Sequence, residues 1–317
     1  MTGYLVRRLA QALLVVLGVI FVVFVLSQVI PGGEARSVLG ARASPAQIAH
    51  FNKVNGFTKP IVVQFWNYLV NLAHLRLGYS YIYTAPIWTL IRIRLPKTLV
   101  LVGTSTALAL LVAIPLGVVQ VVKRHKPTDY LLTGASFVLY ATPTFFLGTV
   151  LILIFSFTLH LLPVAPPSSA SPWAVFSDPV AFVMPVCTLA GITVAGFSRY
   201  TRSSMLDALA EDYIRTARAK GASGRRVLYI HALRNALIPV ITLIGLSIPG
   251  IVSGAVVVES VFNYPGMGLL AVQAAENHDI PTVLATTLVA AIATVAGSLL
   301  ADLLYLVVDP RIRYVDR

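Results

Sequence analysis

The chain has 317 residues, of which 57% are hydrophobic and only 11% are charged, and its formal net charge is +12. This much apolar sequence excludes a soluble domain and predicts a protein that crosses a membrane several times. The basic excess fits Lys and Arg held at a cytoplasmic membrane face, and it does not indicate nucleic-acid binding, because basic and aromatic residues do not alternate outside the apolar segments. Cys187 is the single cysteine, which excludes an intrachain disulfide.

The N-terminal segment, residues 1–30, begins with Arg7 and Arg8 and continues as an apolar run over residues 9–30. This run is too long for the apolar core of a signal peptide and long enough to cross a bilayer. We therefore predict a first transmembrane helix that stays attached, with its N-terminus in the cytoplasm.

Residues 31–96 are mixed in polarity and form the one large segment outside the apolar runs. Capping residues predict short helices here, with Ser44 as the first N-cap and Thr84 as a candidate cap of the last. The predicted helices cover residues 44–56, 60–76 and 84–93. The middle helix has one apolar face, which we expect to lie on the outer ends of the spans. This external helical region is a lid, a docking surface or a scaffold over the bundle, and the sequence leaves these alternatives open.

Residues 97–309 contain five further apolar segments, which we predict as transmembrane helices. They cover residues 98–122, 130–162, 180–197, 237–258 and 282–308. Residues 130–162 could form two short spans, but the uncharged sequence around Pro143 leaves too little room for a turn, so one long kinked helix is preferred. Residues 163–179 and 263–281 are predicted external loops, the second of them polar. The predicted fold class is therefore all-α and polytopic, with six transmembrane helices.

The distribution of basic residues predicts the orientation of these helices. If the chain crosses the membrane six times, the N-terminus, residues 123–126, residues 199–234 and the tail lie on the same side of the membrane. These short segments contain 16 of the 24 Lys and Arg residues, and the other eight lie in residues 31–97. The two short loops on the opposite side carry none. By the positive-inside rule, both termini, the segment 199–234 and the tail 310–317 lie in the cytoplasm.

The strongly basic segment from residue 211 to residue 239 has the signals of two helices. Asp212 is a candidate N-cap, residues 213–220 favour a helix, and Gly221 stands where a left-handed residue ends a helix. Ser223 can then cap the second helix. The first helix is too short to cross a bilayer, so the segment is either a docking element for a soluble partner or a solvated basic loop.

Motifs for catalysis are missing from the sequence. The Gly221-to-Gly224 stretch lacks the spacing and the lysine of a nucleotide-binding P-loop, and no zinc-protease, cysteine-cluster or Gly-x-Ser-x-Gly motif is present. The six histidines are scattered. We therefore expect no catalytic residue, no metal site and no cofactor in this chain.

Ionisable residues within apolar segments are the default markers of a transport pathway. Asp302, in the last span, and Glu259, at the outer end of the fifth, are the two that stand out. Asp302 is the one candidate for ion coupling, but a structural ion pair with Arg199 or Arg202 is the preferred role. The sequence therefore favours an energy source outside the chain.

Several motifs together resemble a known family. They are YLVRRL at the N-terminus, DYIRTARAKG at residues 212–221, HALRNALIPV at residues 231–240 and DPRIRY at residues 309–314. The chain is similar, almost end to end, to the permease subunits of bacterial dipeptide, oligopeptide and nickel ABC importers. In that family, the short helix of the second motif is a coupling helix that sits in a cleft of the ATPase subunit.

The family pattern E-A-A-x3-G-x9-I-x-L-P can be carried over position by position. The chain keeps Ala217, Gly221 and Leu233, and it has Arg, Thr, His and Arg at positions 215, 216, 231 and 234, departures that are usual in the peptide branch. Because the acidic anchor is missing, the resemblance implies that basic residues make the polar contacts with the ATPase. The implied ATPase-coupling residues are Asp212, Tyr213, Arg215, Thr216, Ala217, Arg218, Lys220, Gly221, His231 and Leu233.

The resemblance implies a type I importer bundle in the bacterial inner membrane. Its implied partners are a second homologous permease, two cytoplasmic ATPase subunits that bind ATP and Mg, and an extracytoplasmic substrate-binding protein. Dipeptides, oligopeptides, glutathione and nickel chelates are all carried by this branch, so the substrate stays open. The competing hypotheses are an ion-driven carrier that works alone, which Asp302 favours, and a membrane-anchored assembly or signalling protein.

Overall fold

The computed structural model describes residues 2–29, 35, 38–40, 43–54, 56–80, 82–167 and 171–308, without the side chains of residues 2–5, 242, 246, 249–254 and 301–308. The N-terminal part contains α1 (Thr2–Val29), α2 (Pro45–Val54), α3 (Ile61–Ala73), the strands β1 (Tyr79–Ser80) and β2 (Ala85–Pro86), and α4 (Ile87–Val122). The rest contains α5 (Pro127–Ala141), α6 (Thr144–Leu151), α7 (Ala174–Ser177), α8 (Val183–Ala210), α9 (Asp212–Ala219), α10 (Gly224–Arg226), α11 (Leu233–Val261), α12 (Met267–Glu276) and α13 (Ile280–Val308). The π-helical segments Ile152–Thr158 and Val227–Ala232 follow α6 and α10, and a 3-10 turn, Pro179–Phe182, precedes α8.

Within the described residues, five helices are long and apolar enough to cross a membrane. They are Val6–Gln28, Ile87–Val122, Pro179–Ala210, Gly224–Gly245 and Ile280–Leu300. The bent pair Pro127–Ala141 and Thr144–Thr158 supplies a sixth span when its two helices are counted together. The predicted all-α, polytopic fold is confirmed, with six spans on this count.

The prediction of one long kinked helix over residues 130–162 is wrong. The chain direction changes by 106° between α5 and α6, which is a break in the helix rather than a kink. At the break, Thr142 is extended, with φ −76° and ψ 124°, and Pro143 has φ −60° and ψ 139°. Proline disfavours the helical conformation of the residue before it and has no N–H to continue the helix, so α5 ends before Thr142.

The predicted helices at the start of the external region are confirmed as α2 and α3. The third is wrong in both its cap and its end. Thr84 lies in the turn between β1 and β2 with φ 48°, and the helix begins at Ile87 and continues to Val122. The helix therefore passes the predicted limit of the external region at residue 96 without a break, because its apolar residues continue beyond the polar stretch.

The predicted polar loop over residues 263–281 instead contains the helix α12. Met267 and Leu270 are buried and pack with Ile87 and Ile91 of α4, because the sequence of α12 repeats apolar residues at helical spacing. The Met267 N–H donates to Thr98 Oγ1 at 2.8 Å.

The part of the chain from α12 to the start of α13 also holds the β hairpin. The Ser80 hydroxyl donates to the buried carboxylate of Asp279, which also accepts from Thr282 Oγ1 at 2.8 Å. The Tyr83 hydroxyl donates to Gln273 Oε1 at 3.0 Å. These contacts attach the hairpin to the region that composition alone predicts as a loop.

The chain divides into two compact units, Met1–Thr98 with Pro265–Val295 and Leu99–Tyr264 with Ala296–Arg317. The first unit has one apolar cluster around Ile87 and Leu270 and another around Phe24 and Ile280. The second unit has three clusters, and the one that includes Ile214 and Met205 supports the basic segment.

Candidate functional site

The basic segment begins with the helix α9, directly after the long helix α8. Glu211, with φ −69° and ψ 150°, is the N-cap, and Asp212 is the first helical residue. The predicted cap at Asp212 is therefore wrong by one position. The Asp212 carboxylate accepts from Arg215 Nη1 at 3.2 Å, and its carbonyl accepts from Thr216 Oγ1 at 3.1 Å. The Asp212 side chain thus contacts Arg215, one turn further along α9. Its negative charge at the N-terminal end of the helix also interacts favourably with the positive end of the helix dipole.

The C-terminal end of α9 is a complete Schellman motif. Gly221 has φ +80°, and its N–H donates to the Arg218 carbonyl at 2.9 Å, while the Ala222 N–H donates to the Ala217 carbonyl at 3.1 Å. These two bonds satisfy carbonyls that a helix end otherwise leaves unpaired, and the left-handed conformation is one that glycine adopts without strain. The prediction that Gly221 ends the helix is confirmed.

The chain then turns directly into the next membrane-spanning helix. Ser223 Oγ accepts from the Arg226 N–H at 3.4 Å, which confirms the predicted cap of the second helix. From Gly224 the backbone stays helical through α10, the π segment and α11, as far as Val261. The helix α9 is thus joined to α8 at one end and, through a three-residue turn over 221–223, to a continuous helix at the other.

One apolar side chain anchors α9 to the protein. Ile214 is fully buried in a cluster with Met205 of α8 and Val227 of the π segment. Ala217, one turn further on, is half-buried. Ile214 is not among the residues predicted from the sequence, although an isolated branched apolar residue within a polar helix is a recognisable signal of one buried face.

The remaining surface of α9 is polar and exposed to solvent. The exposed side chains on it are Asp212, Tyr213, Arg215, Thr216, Arg218 and Lys220. The pair Arg215–Asp212 leaves 80% and 92% of its side chains exposed, so it contributes little to stability. The short helix therefore has a fixed inner side and an outer side that carries three cations and one anion.

His231 and Leu233 do not share this surface. His231 is half-buried in the π segment and lines a cavity of about 500 Å3 with Ile230, Arg234, Asn235 and Ile238. The partly buried Leu233 packs against the same apolar cluster as Ile214. Eight of the ten predicted coupling residues thus lie on α9, at its C-cap Lys220 or at Gly221, and these two lie on the following helix.

A partly buried ion pair fixes the helices beside the basic segment. Asp129 of α5, with 4% of its side chain exposed, accepts from Arg202 Nε at 3.2 Å and Nη2 at 3.1 Å. Its carboxylate also accepts from Thr133 Oγ1 and from the His125 N–H, both at 3.2 Å. Asp129 is not among the predicted site residues, because its place just after the basic residues 123–126 gives no hint of its partner.

The two ionisable residues predicted within spans have different outcomes. Glu259 is fully buried on α11, and the Tyr264 N–H donates to its carbonyl at 2.8 Å. Burial, together with the neighbouring Glu259 carboxylate, raises the pKa of Tyr264 well above its usual range. The Asp302 side chain lies outside the described residues.

The two arginines predicted as partners of Asp302 have other contacts. Arg202 binds Asp129, and Arg199 lies over the rings of Phe137 and Tyr140, with its guanidinium carbon 4.5 Å and 5.1 Å from the two ring centres. Arginine over an aromatic face is a favourable cation–π arrangement. Among the described residues there is no group of three or more His, Cys, Asp or Glu residues able to hold a metal ion.

Comparisons with known proteins identify the family of this chain. Residues 109–314 match the family described as "Binding-protein-dependent transport system inner membrane component", and residues 1–102 match the one described as "Binding-prot-dependent transport system membrane comp, N-term". The oligopeptide transport system permease protein AppB of Bacillus subtilis is 40% identical over 316 residues, which cover 99% of this chain and 100% of the relative.

Other relatives are similar along their whole length. The probable D,D-dipeptide transport system permease protein DdpB of Escherichia coli is 37% identical and covers 96% of both chains. The glutathione transport system permease protein GsiC of Pectobacterium atrosepticum is 36% identical over 99% of this chain and 100% of its own length. The resemblance found in the motifs is confirmed: this chain belongs to the family of inner-membrane components of binding-protein-dependent transport systems.

Proposed function

We propose that the chain is the permease subunit of an ATP-driven, binding-protein-dependent peptide importer, in which it forms half of the translocation pathway. The observation that carries this proposal is the helix α9. It is anchored by Ile214 on one side and ended by a left-handed glycine, and it presents a polar surface on the other side. A rigid helix of this kind, placed between two membrane-spanning helices, can pass the movement of a docked partner to both of them.

The ATPase subunit contacts this polar surface. Arg215, Arg218 and Lys220 are exposed on it, so charge-assisted hydrogen bonds to acidic groups or backbone carbonyls of the partner are available. We assign docking to the eight residues on α9, its C-cap and its terminal glycine. His231 and Leu233 act beneath them, as supports in the following helix. Two ATPase subunits bind and hydrolyse ATP with Mg, and this chain itself is not an enzyme.

The distribution of Lys and Arg supports an orientation with both termini and α9 in the cytoplasm. The pathway then lies between this chain and a second, homologous permease, and an extracytoplasmic binding protein delivers the substrate to the opposite side. The external region after α1 and the bundle that follows form the two functional parts of the chain.

Peptides are the substrate class that the relatives favour. The three relatives described above are named for oligopeptide, D,D-dipeptide and glutathione transport, and each of these substrates contains a peptide or peptide-like backbone. A nickel chelate is the alternative within the wider family. An ion-driven carrier, the alternative from another class, would rest on Asp302.

The test is purification of the tagged chain from its native membrane, identification of the subunits that remain bound, and reconstitution of the complex in vesicles. Bound ATPase subunits, together with ATP hydrolysis and uptake that both require peptide and binding protein, would support the proposal. A hydrolysis-deficient ATPase subunit is the matched control and should abolish uptake. A chain that purifies without ATPase subunits and takes up substrate under an ion gradient would instead show a secondary carrier.

A further inference from the structure

The helix α3 has three distinct faces. Its contact face carries Phe65 and Tyr68, which pack against α1. A polar face carries Gln64, Asn67 and Asn71. The third face is apolar but exposed: 79% of Val62, 65% of Trp66 and 41% of Val70 are accessible in the chain. With about 100° of rotation per residue, the apolar stripe and the polar face lie on opposite sides of the contact face.

The contacts with α1 show which way each face of α3 points. Phe65 packs against Phe21 and Phe24, with ring centres 5.1 Å and 5.3 Å apart. Gln64 Oε1 accepts from Gln28 Nε2 at 3.5 Å. Gln28 ends the apolar span of α1, and Phe21 lies seven residues before it, about 10 Å deeper along the helix axis. Rotation about the axis of α3 from Gln64 to Phe65 therefore leads from the end of the α1 span toward its interior.

Continuing this rotation past Phe65 leads to the exposed apolar stripe. Val62 and Trp66 thus lie on the side of α3 that faces into the depth of the membrane crossed by α1. The polar face lies on the other side, toward the end of the span. There, a cavity of about 330 Å3 has a mixed lining. Its polar side chains Gln28, Lys59, Asn71 and Arg76 are groups that water solvates well, and Phe24 and Leu284 are among its apolar ones.

We propose that α3 is an interfacial helix, and that the stripe formed by Val62, Trp66 and Val70 inserts into the lipid leaflet at the Gln28 end of α1. Its 13 residues are too few to cross a bilayer but suit a helix that lies in the membrane surface. Tryptophan favours this depth, because its ring is apolar and its N–H can reach the headgroups.

Lipid, rather than a protein, is the occupant because the stripe continues an exposed apolar surface within the span of α1. On α1, the side chains of Leu14, Val22 and Leu26 are also exposed in the chain, and they lie within the apolar span. The contact faces place α3 no deeper than about 10 Å from the end of that span, which matches the depth at which interfacial helices bury their apolar side. The polar face stays in water. This inference does not depend on the proposed transport function.

Cysteine labelling tests the two faces of α3 against each other. Val62→Cys and Asn71→Cys replace exposed side chains on opposite sides of the same helix, in a Cys187→Ser background. The full chain, with the subunits it retains, is placed in lipid nanodiscs and treated with a charged, water-soluble maleimide. We expect Asn71→Cys to react at least tenfold faster, after normalisation to the unfolded chain. Equal labelling would overturn the proposal.

A protein that covers the stripe would also protect Val62→Cys from labelling, so a second measurement distinguishes lipid from protein. Trp66 is kept as the single tryptophan by replacing the other two, Trp88 and Trp173, both exposed in the chain, with Phe. Brominated phospholipids should quench its fluorescence, most strongly when the bromines lie near the headgroup end of the acyl chains. Absence of quenching, with Val62→Cys still protected, would mean that protein covers the stripe and would reject the lipid assignment.

Discussion

Gly117 of α4 lies directly against Thr201 of α8. A Cβ atom at position 117 would be 2.7 Å from Thr201 Cβ and 2.9 Å from the Ser198 carbonyl oxygen, closer than side chains in proteins approach each other. The glycine is therefore required for the close packing of these two helices, and not for its backbone conformation. Small residues allow membrane helices to approach in this way.

We expect Gly117→Ala to destabilise the protein by about 1–3 kcal/mol, because the extra methyl group forces the two helices apart. The thermal midpoint of the detergent-purified chain measures this effect. Gly103→Ala is the matched control, since it lies on the same helix. Apart from the adjacent backbone of that helix, no described residue comes within 4 Å of the position that its new Cβ would take. A similar loss for both variants would show that the cost comes from the backbone and not from the contact with Thr201.

The ion pair between Asp129 and Arg202 gives the second prediction. Asp129→Asn leaves the partly buried Arg202 guanidinium without its charged partner. We expect a loss of about 2–3 kcal/mol, less than for a fully buried pair. Replacing both residues with apolar ones of similar size should restore part of that loss, because no unpaired charge remains. Denaturation midpoints of the single and double variants measure this coupling. Asp207→Asn, an exposed acid on α8, is the control and should be neutral.

Ile214 is predicted to hold α9 in place. Truncation by Ile214→Ala removes the buried anchor and should cost about 2–5 kcal/mol. Because α9 is short and carries exposed arginines, its release should also speed cleavage by trypsin within the segment 211–223. Limited proteolysis followed by mass spectrometry reports the cleavage sites. Ile230→Ala changes a side chain that is 53% exposed and should leave the digestion pattern unchanged. Equal cleavage of the two variants would argue against the anchor.

Local signals explain the parts of the fold and of the site that the sequence predicts. Gly221 and Ser223 are predicted correctly because helix ends depend on a few neighbouring residues, and the apolar runs mark spans by length alone. At Pro143 the sequence predicts a kink where the structure has a break. The sequence does not show whether packing against neighbouring helices keeps one bent helix or favours two separate helices.

Contacts between distant residues account for what the sequence does not predict. Asp129 and Arg202 are 73 positions apart, and α12 is buried only because α4 and α13 provide partners for its apolar side. Ile214 is a different case, because an apolar residue within a polar helix is a local sign of burial. It is missed because the charged residues around it dominate the sequence pattern of the segment. Pairing and burial of this kind depend on topology, which one sequence without structure does not specify.

The polar surface of α9 predicts the effect of charge reversal. Arg218→Glu places a negative charge in the last turn of α9, on the surface assigned to ATPase docking, and we expect at least a tenfold loss of ATPase subunits in pull-down experiments at moderate salt. Arg124→Glu reverses an exposed arginine in the loop between α4 and α5 and is the control. If both variants retain the ATPase equally, the docking surface lies elsewhere.

Gly221 tests whether the end of α9 transmits movement. Its φ of +80° strains any residue with a branched Cβ, and apart from its two chain neighbours no described residue lies within 4 Å of the added carbon. The cost of Gly221→Val is therefore conformational, roughly 1–2 kcal/mol. Gly221→Pro also removes the N–H that bonds to the Arg218 carbonyl. We expect both variants to reach the membrane and to retain ATP hydrolysis in the complex, while peptide uptake falls several-fold. Gly221→Asn, which tolerates the left-handed conformation, should retain most uptake. Normal uptake by the valine and proline variants would show that coupling does not depend on this helix end.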